Sequence, residues 1–256
     1  ESTVLFSVGI LNITIPRLVL AVGILMLLVV LTQPRPRSPK RAGWWTRAVF
    51  LNCCQIAIVY IAGFLWDDWM ARHRLWSADG LGVAGGAIVG YLVITFVYYW
   101  WHYWRHRSPA LWRWFHQVHH SPQRIEVITS FYKHPFELIA NGALSSAVLY
   151  LIVGLGPAAA SQAVLLSGLA ELFYHRNVLT PYWLGFIIQR PESHCVHHQA
   201  GLHHYNFADL PFWDMLFGTF RNPKYWDARC GFGAKESRLG EMLRGRDVNQ
   251  TEPVAA

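Results

Sequence analysis

The sequence predicts an all-α integral membrane protein of about five transmembrane helices, two of them forming a short hairpin, with a cytoplasmic helical histidine-cage cap. Three observations predict it. Only 14% of the 256 residues are charged and 53% are hydrophobic, whereas soluble domains carry about 25% charged residues. Four apolar stretches reach 19 residues or more, about the length that crosses a bilayer as a helix. All of the 13 histidines except His73 fall between His102 and His204. Low charge with high hydrophobicity also excludes disorder, and Cys53, Cys54, Cys195 and Cys230 form neither a disulfide framework nor a CxxC zinc pattern.

Val4 to Thr32 is apolar apart from Asn12, Thr14 and Arg17. At 29 residues it is too short for two crossings and is expected as one span shaped by Pro16. Its apolar core exceeds the roughly 7–15 residues of a secretory signal, and no A-x-A site follows. Ala48 to Trp66 supplies a second span, 19 uncharged residues with Asn52 and Gln55 inside. Leu81 to Trp101 supplies a third, whose 21 uncharged residues rise about 31 Å as a helix. Leu138 to Ala170 holds 33 uncharged residues broken at Gly154-Leu155-Gly156-Pro157. Two full crossings need about 40 residues, so two short helices are expected to form a hairpin that returns the chain to the side it left. A single long, tilted span is the alternative.

Basic residues set the orientation. The loop from Gln33 to Arg47 holds Arg35, Arg37, Lys40, Arg41 and Arg47 with no acid. The loop from His102 to Pro135 holds Arg105, Arg107, Arg113, Arg124 and Lys133 against Glu126 alone. Between them, Arg72 and Arg74 face Asp67, Asp68 and Asp79. The first and third loops are therefore expected in the cytoplasm. The net charge of +7 is accounted for in this way, and nucleic-acid binding loses its support.

The histidines form boxes. His102 and His106 are an i,i+4 pair, and His116, His119 and His120 put i, i+3 and i+4 on one helical face. His194, His197 and His198 repeat that spacing, His134 and His175 stand alone, and His203 and His204 follow. Imidazole is the commonest metal ligand. A structural ion takes about four ligands and a catalytic one about three, so eight boxed histidines suit two metals sharing a cage. An all-imidazole shell accommodates iron, zinc, copper or nickel. Glu126, Glu137, Glu171, Glu192, Asp209 and Asp214 are carboxylates able to accept the free ring N–H of a ligand, with a solvated surface role as the equal alternative. The aromatic run Tyr98 to Trp104 reads as an interfacial belt, with lining of a substrate path as the other reading.

The HxxxH box, an HxxHH box ten residues on, His175 with Asn177, a second HxxHH box, and Trp213-Asp214-Met215-Leu216-Phe217-Gly218-Thr219 together resemble the fatty acid hydroxylase/sterol desaturase superfamily. The resemblance covers roughly residues 85–222. It implies an integral-membrane enzyme with two non-haem iron ions, zinc being an expected substitute in purified protein, that uses O2 and two electrons on a lipid C–H bond. By position it implies His102, His106, His116, His119, His120, His194, His197 and His198 as ligands, with His175 and His134 as further ones. His203, His204, Glu171, Glu192, Asn206 and Asp214 are expected as extra ligands or supports of the ligands. The chain then divides into N-terminal transmembrane helices with a basic loop (1–80), a fatty acid hydroxylase-like catalytic unit (81–222) and a cytoplasmic tail (223–256).

Hydroxylation of a fatty acyl, sterol or isoprenoid chain is the leading expectation, with desaturation by the same centre as the alternative. The expected setting is a bacterial inner membrane or endoplasmic reticulum. The sequence shows no dinucleotide fingerprint, P-loop, haem site or ferredoxin cysteine spacing, so a separate electron donor of cytochrome b5 or ferredoxin type is expected. A metallopeptidase would need His-Glu-x-x-His, which is missing. A non-catalytic histidine-cage metal-binding membrane protein is the remaining non-enzyme reading.

Overall fold

Residues 40–249, with the backbone of residues 4–8, 11–14 and 33–34, are described by the structure, a computed structural model. Strands β1 (Val4–Val8) and β2 (Leu11–Thr14) pair antiparallel, with Val4 opposite Thr14 and Val8 opposite Leu11. The expected span from Val4 to Thr32 is thus extended over these residues, and residues 15–32 lie outside the described ones. Runs of four and five residues rich in Val, Ile and Thr favour a strand over a helix. A second short pair joins β3 (Gln33–Pro34) to β4 (Val178–Leu179). The fold class is therefore mostly helical rather than all-α.

Helix α1 (Trp44–Ala62) runs through a π-helical turn (Gly63–Asp67) into α2 (Asp68–Arg72), a 29-residue stretch. Helix α3 (Gly82–Arg107) follows a 3-10 turn in a second 29-residue stretch, Asp79–Arg107. Two short helices, α4 (Pro109–Phe115) and α5 (Gln117–His120), lead to α6 (Pro135–Ser146), which a second π-helical turn extends to Ile152. Among the described residues, Trp44–Arg72, Asp79–Arg107 and Pro135–Ile152 are long and apolar enough to cross a membrane. The chain returns in α7 (Pro157–Tyr174), which packs along α3. Small residues permit that approach: a Cβ built on Gly86 would lie 2.9 Å from Ala159 Cβ.

The turn between α6 and α7 packs against the loop that precedes α3. Ala78 N–H donates to the Gly154 carbonyl at 2.9 Å, and Arg74 Nη1 donates to the same oxygen at 3.2 Å. This places the turn at the end of the bundle away from the histidines. Gly154 has φ 77°, and a Cβ there would overlap the Trp76 carbonyl. Gly154→Ala is expected to cost about 1–3 kcal/mol from the positive φ alone, read as a lowered unfolding temperature of the purified chain.

At the other end lie α8 (Pro191–His197), α9 (Pro211–Phe217) and α10 (Leu239–Met242). Phe232, Met242 and Val248 from the C-terminal segment pack with Trp44, Leu51 and Tyr132. Trp44 Nε1 donates to Glu126 Oε1 at 3.1 Å. The tail thus ties the start of α1 to the loop after the first HxxHH box.

Candidate metal centre

His102 and His106 occupy the last turns of α3. His116 caps α5, and His119 and His120 lie within it. His175 ends α7, while α8 carries His194 and His197 and closes on His198. Four chain segments therefore converge, and they sort the ligand atoms into two groups. His102, His106, His116, His120 and His197 form one, and His119, His175, His194 and His198 the other, the ring nitrogens of each lying within 4.8 Å of one another. In the first, His102 Nε2 lies 2.8 Å and His120 Nε2 3.1 Å from His116 Nε2. In the second, His194 Nε2 lies 3.1 Å from His175 Nε2 and 2.9 Å from His198 Nε2.

The outer ring nitrogens fix the tautomers. His102 Nδ1 donates to the Phe207 carbonyl at 2.7 Å, His197 Nδ1 to the Tyr205 carbonyl at 2.8 Å and His175 Nδ1 to the Glu171 carbonyl at 2.8 Å. A carbonyl only accepts, so each Nδ1 carries the proton and each Nε2 turns a lone pair into the cluster. His116 Nδ1 lies 3.1 Å from Glu137 Oε1 and 3.2 Å from Arg105 Nη1. His197 Nε2 is buried with no protein partner. The donor set therefore fits metal ions, one in each group.

The remaining candidates stand around these groups. Asp214 accepts from the Phe207 and Ala208 amides (2.8 and 3.0 Å) and from Thr219 Oγ1 (2.7 Å), holding the loop whose carbonyl orients His102. Asn206, at φ 58° the one non-glycine residue with positive φ among the described residues, accepts from Arg221 N–H and donates to the Ser193 and Arg221 carbonyls. Asn tolerates this conformation better than most residues. Glu192 accepts from the Thr180 amide and hydroxyl, and the Glu171 carboxylate pairs with Lys133. His203 packs beside His106 and Trp112, while His204 is exposed. His134 belongs to neither group: its Nδ1 accepts from Phe136 N–H at 3.0 Å and so caps α6.

Several supports escaped sequence reasoning. Arg105 is buried and pairs with Glu137, which in turn touches His116, whereas its sequence context reads equally as a cytoplasmic loop charge or as a contact for a polar headgroup. The Phe207, Tyr205 and Glu171 carbonyls are backbone groups that no side-chain pattern reveals. In the aromatic run Tyr98, Trp100, Trp101 and Tyr103 are half-buried. Tyr99 is buried and bonds Thr219, Tyr98 bonds Asn141 and Ser145, and Trp104 faces outward. A cavity of about 320 Å³ lined by α1, α3, α6 and α7 reaches His102, His116, His119 and His194 at one end and Asp67 at the other.

Burial holds His116, His119, His120, His194 and His198 neutral, with like-charged neighbours adding to the effect. His175 and His197 fall from 6.5 to about 3. Below pH 6.5 the unfolded chain then binds more protons than the folded one, so stability present above that pH is lost as pH falls towards 3. The metal-free chain is expected to unfold at progressively lower temperature across that window, and metal loading to protect it, read by thermal unfolding at a series of pH values.

The fatty acid hydroxylase family model matches residues 87–219, which include every residue of both histidine groups. The chain is 30% identical to an ornithine lipid hydroxylase, OlsE, of Rhizobium tropici over 158 residues, 60% of this chain and 47% of that protein. It is 27% identical to the very-long-chain aldehyde decarbonylase GL1-4 of Oryza sativa subsp. indica over 194 residues, 70% of this chain and 29% of that protein. A cholesterol 25-hydroxylase-like protein of Caenorhabditis elegans is 27% identical over 107 residues, 42% of this chain and 28% of that protein. The chain thus spans about half or less of the length of these relatives. No solved structure matches it. With more than half its length under that family model and nine imidazoles gathered in two groups within the matched region, the chain belongs to the fatty acid hydroxylase family.

Proposed function

We propose that this chain is a membrane-bound di-iron oxygenase that hydroxylates a C–H bond of a lipid chain. The observation that carries the reading is the cavity between apolar helices that ends on both histidine groups. In this reading His102, His106, His116, His120 and His197 hold one ion, and His119, His175, His194 and His198 the other. The ions supply the redox chemistry by which O2 oxidises an unactivated C–H bond. Ile58, Val59, Leu165 and Leu172 line the cavity, hold an alkyl chain and exclude water from the reacting carbon. The carbonyls of Phe207, Tyr205 and Glu171 keep the ring protons of His102, His197 and His175 on Nδ1, which leaves Nε2 free for the metal.

One oxygen atom enters the substrate and the other leaves as water, with two electrons and two protons from a separate donor. The excess of basic residues in the loops at the histidine end supports a cytoplasmic side for it, within reach of such a donor. The test is metal content of anaerobically purified chain together with O2 uptake on membrane lipid extract and a chemical reductant. Two irons per chain, lipid-stimulated uptake and products that gain one oxygen atom are expected. Products that lose two hydrogens would convert the reading to desaturation, and no uptake after iron reconstitution would remove it.

A further inference from the structure

The end of the cavity far from the histidines holds groups that oxidation of the lipid does not use. Asp67 is 6% exposed, lies within the membrane-length stretch Trp44–Arg72 and lines the cavity. A buried carboxylate is costly unless it is paired or hydrogen-bonded. Its placement is built. Gln55, Ile58, Val59 and Ala62 line the cavity at ordinary helical spacing, and the π-helical turn Gly63–Asp67 carries the lining on to Asp67. Such turns occur frequently at functional sites.

Ser146 Oγ–H donates to Asp67 Oδ1 and accepts from Trp66 Nε1 at 3.2 Å, which fixes one carboxylate oxygen. Gln55 lines the same wall. Ser146 lies nine residues beyond Glu137 on α6, about 13 Å of helix rise, and Glu137 touches His116. The polar end and the metal-binding end are thus separated by roughly the length of a hydrocarbon chain segment.

We propose that Asp67 recognises the polar end of the substrate, accepting a hydrogen bond from the hydroxyl or ammonium group of an elongated lipid whose far carbons lie against the histidine groups. The proposal rests on the reading of the cavity as the substrate site. The test measures binding of dodecan-1-ol, dodecylamine, dodecane and methyl dodecanoate to the full metal-free chain in nanodiscs by native mass spectrometry. One or both donor-bearing probes are expected to bind about tenfold more tightly than the two without a donor. Asp67→Ala removes that preference, while Ser146→Ala, which leaves the carboxylate in place, retains it.

Asp67→Asn keeps a bond to Ser146 and serves if the alanine variant does not fold; it is expected to weaken the preference about threefold or more. Which of the alcohol and the amine binds decides between a hydroxyl and an ammonium ligand. No preference in the unmodified chain, an unchanged preference in Asp67→Asn, or equal loss in Asp67→Ala and Ser146→Ala, overturns the proposal and leaves Asp67 as a clamp between α1 and α6. The measurement needs no turnover. A chain that shows the preference yet oxidises no lipid would therefore remove the proposed function and leave the recognition site standing.

Discussion

Under the proposed function, His194→Ala is expected to lower iron from two ions per chain towards one and to reduce lipid-dependent O2 uptake by at least about 100-fold. Loss of a group that merely orients a ligand costs about 10–100-fold, and His194 is at the centre of its group. Its Nε2 lies 3.1 Å from His175 Nε2 and 2.9 Å from His198 Nε2, and its side chain borders the cavity. Removing it leaves three imidazoles in that group and opens a gap on the cavity side. His73→Ala is the control, because His73 stacks on Trp69 in the loop at the opposite end of the bundle. Metal analysis and O2 uptake of the two variants side by side check the expectation. Equal iron content in both would mean that His119, His175 and His198 hold the second ion without His194.

Arg105→Met is expected to destabilise the chain by about 3–5 kcal/mol, because it leaves the Glu137 carboxylate buried without its cation. The side chains of Arg105 and Glu137 are 5% and 0% exposed, so water cannot take over the lost pairing. A second replacement, Glu137→Leu, is expected to recover most of the unfolding temperature, since a hydrophobic substitute for a buried ion pair is often neutral. Metal binding is not expected to recover, because Glu137 also touches His116 Nδ1 at 3.1 Å and helps to hold that ring in place. Thermal unfolding separates the first effect and iron titration the second. Recovery of both in the double variant would show that Glu137 serves the fold alone.

Much of the site was legible because its spacing is helical. His102 and His106 stand four apart, and each HxxHH box puts its three rings on one side of a helix or cap, so sequence separation translates directly into shared direction. His175 was placed by its neighbourhood in the pattern and does join a group. His134 looked equivalent, yet the proline that follows starts α6 and draws its ring onto the Phe136 amide. A histidine that caps a helix and one that faces a metal carry the same letter, and only the backbone direction separates them. The π-helical turns were invisible for a similar reason. Gly63–Asp67 and Ala147–Ile152 continue the apolar runs on either side of them, and hydropathy does not register a changed hydrogen-bond spacing.

The sequence by itself determined the membrane-length helices at Trp44–Arg72, Asp79–Arg107 and Pro135–Ile152, and the content of imidazole sufficient for two ions. Both follow from composition and local period, which act within one or two helical turns. The tertiary structure alone decided how the imidazoles divide. His119 and His120 are adjacent in the chain yet belong to different groups, as do His197 and His198, because successive residues on a helix point about 100° apart. It also decided that Asp214 and Asn206 act through the backbone of one loop, and that Arg105 is a buried partner of Glu137 rather than a surface charge. These are contacts between segments distant in sequence, set by packing against neighbours that no local pattern contains.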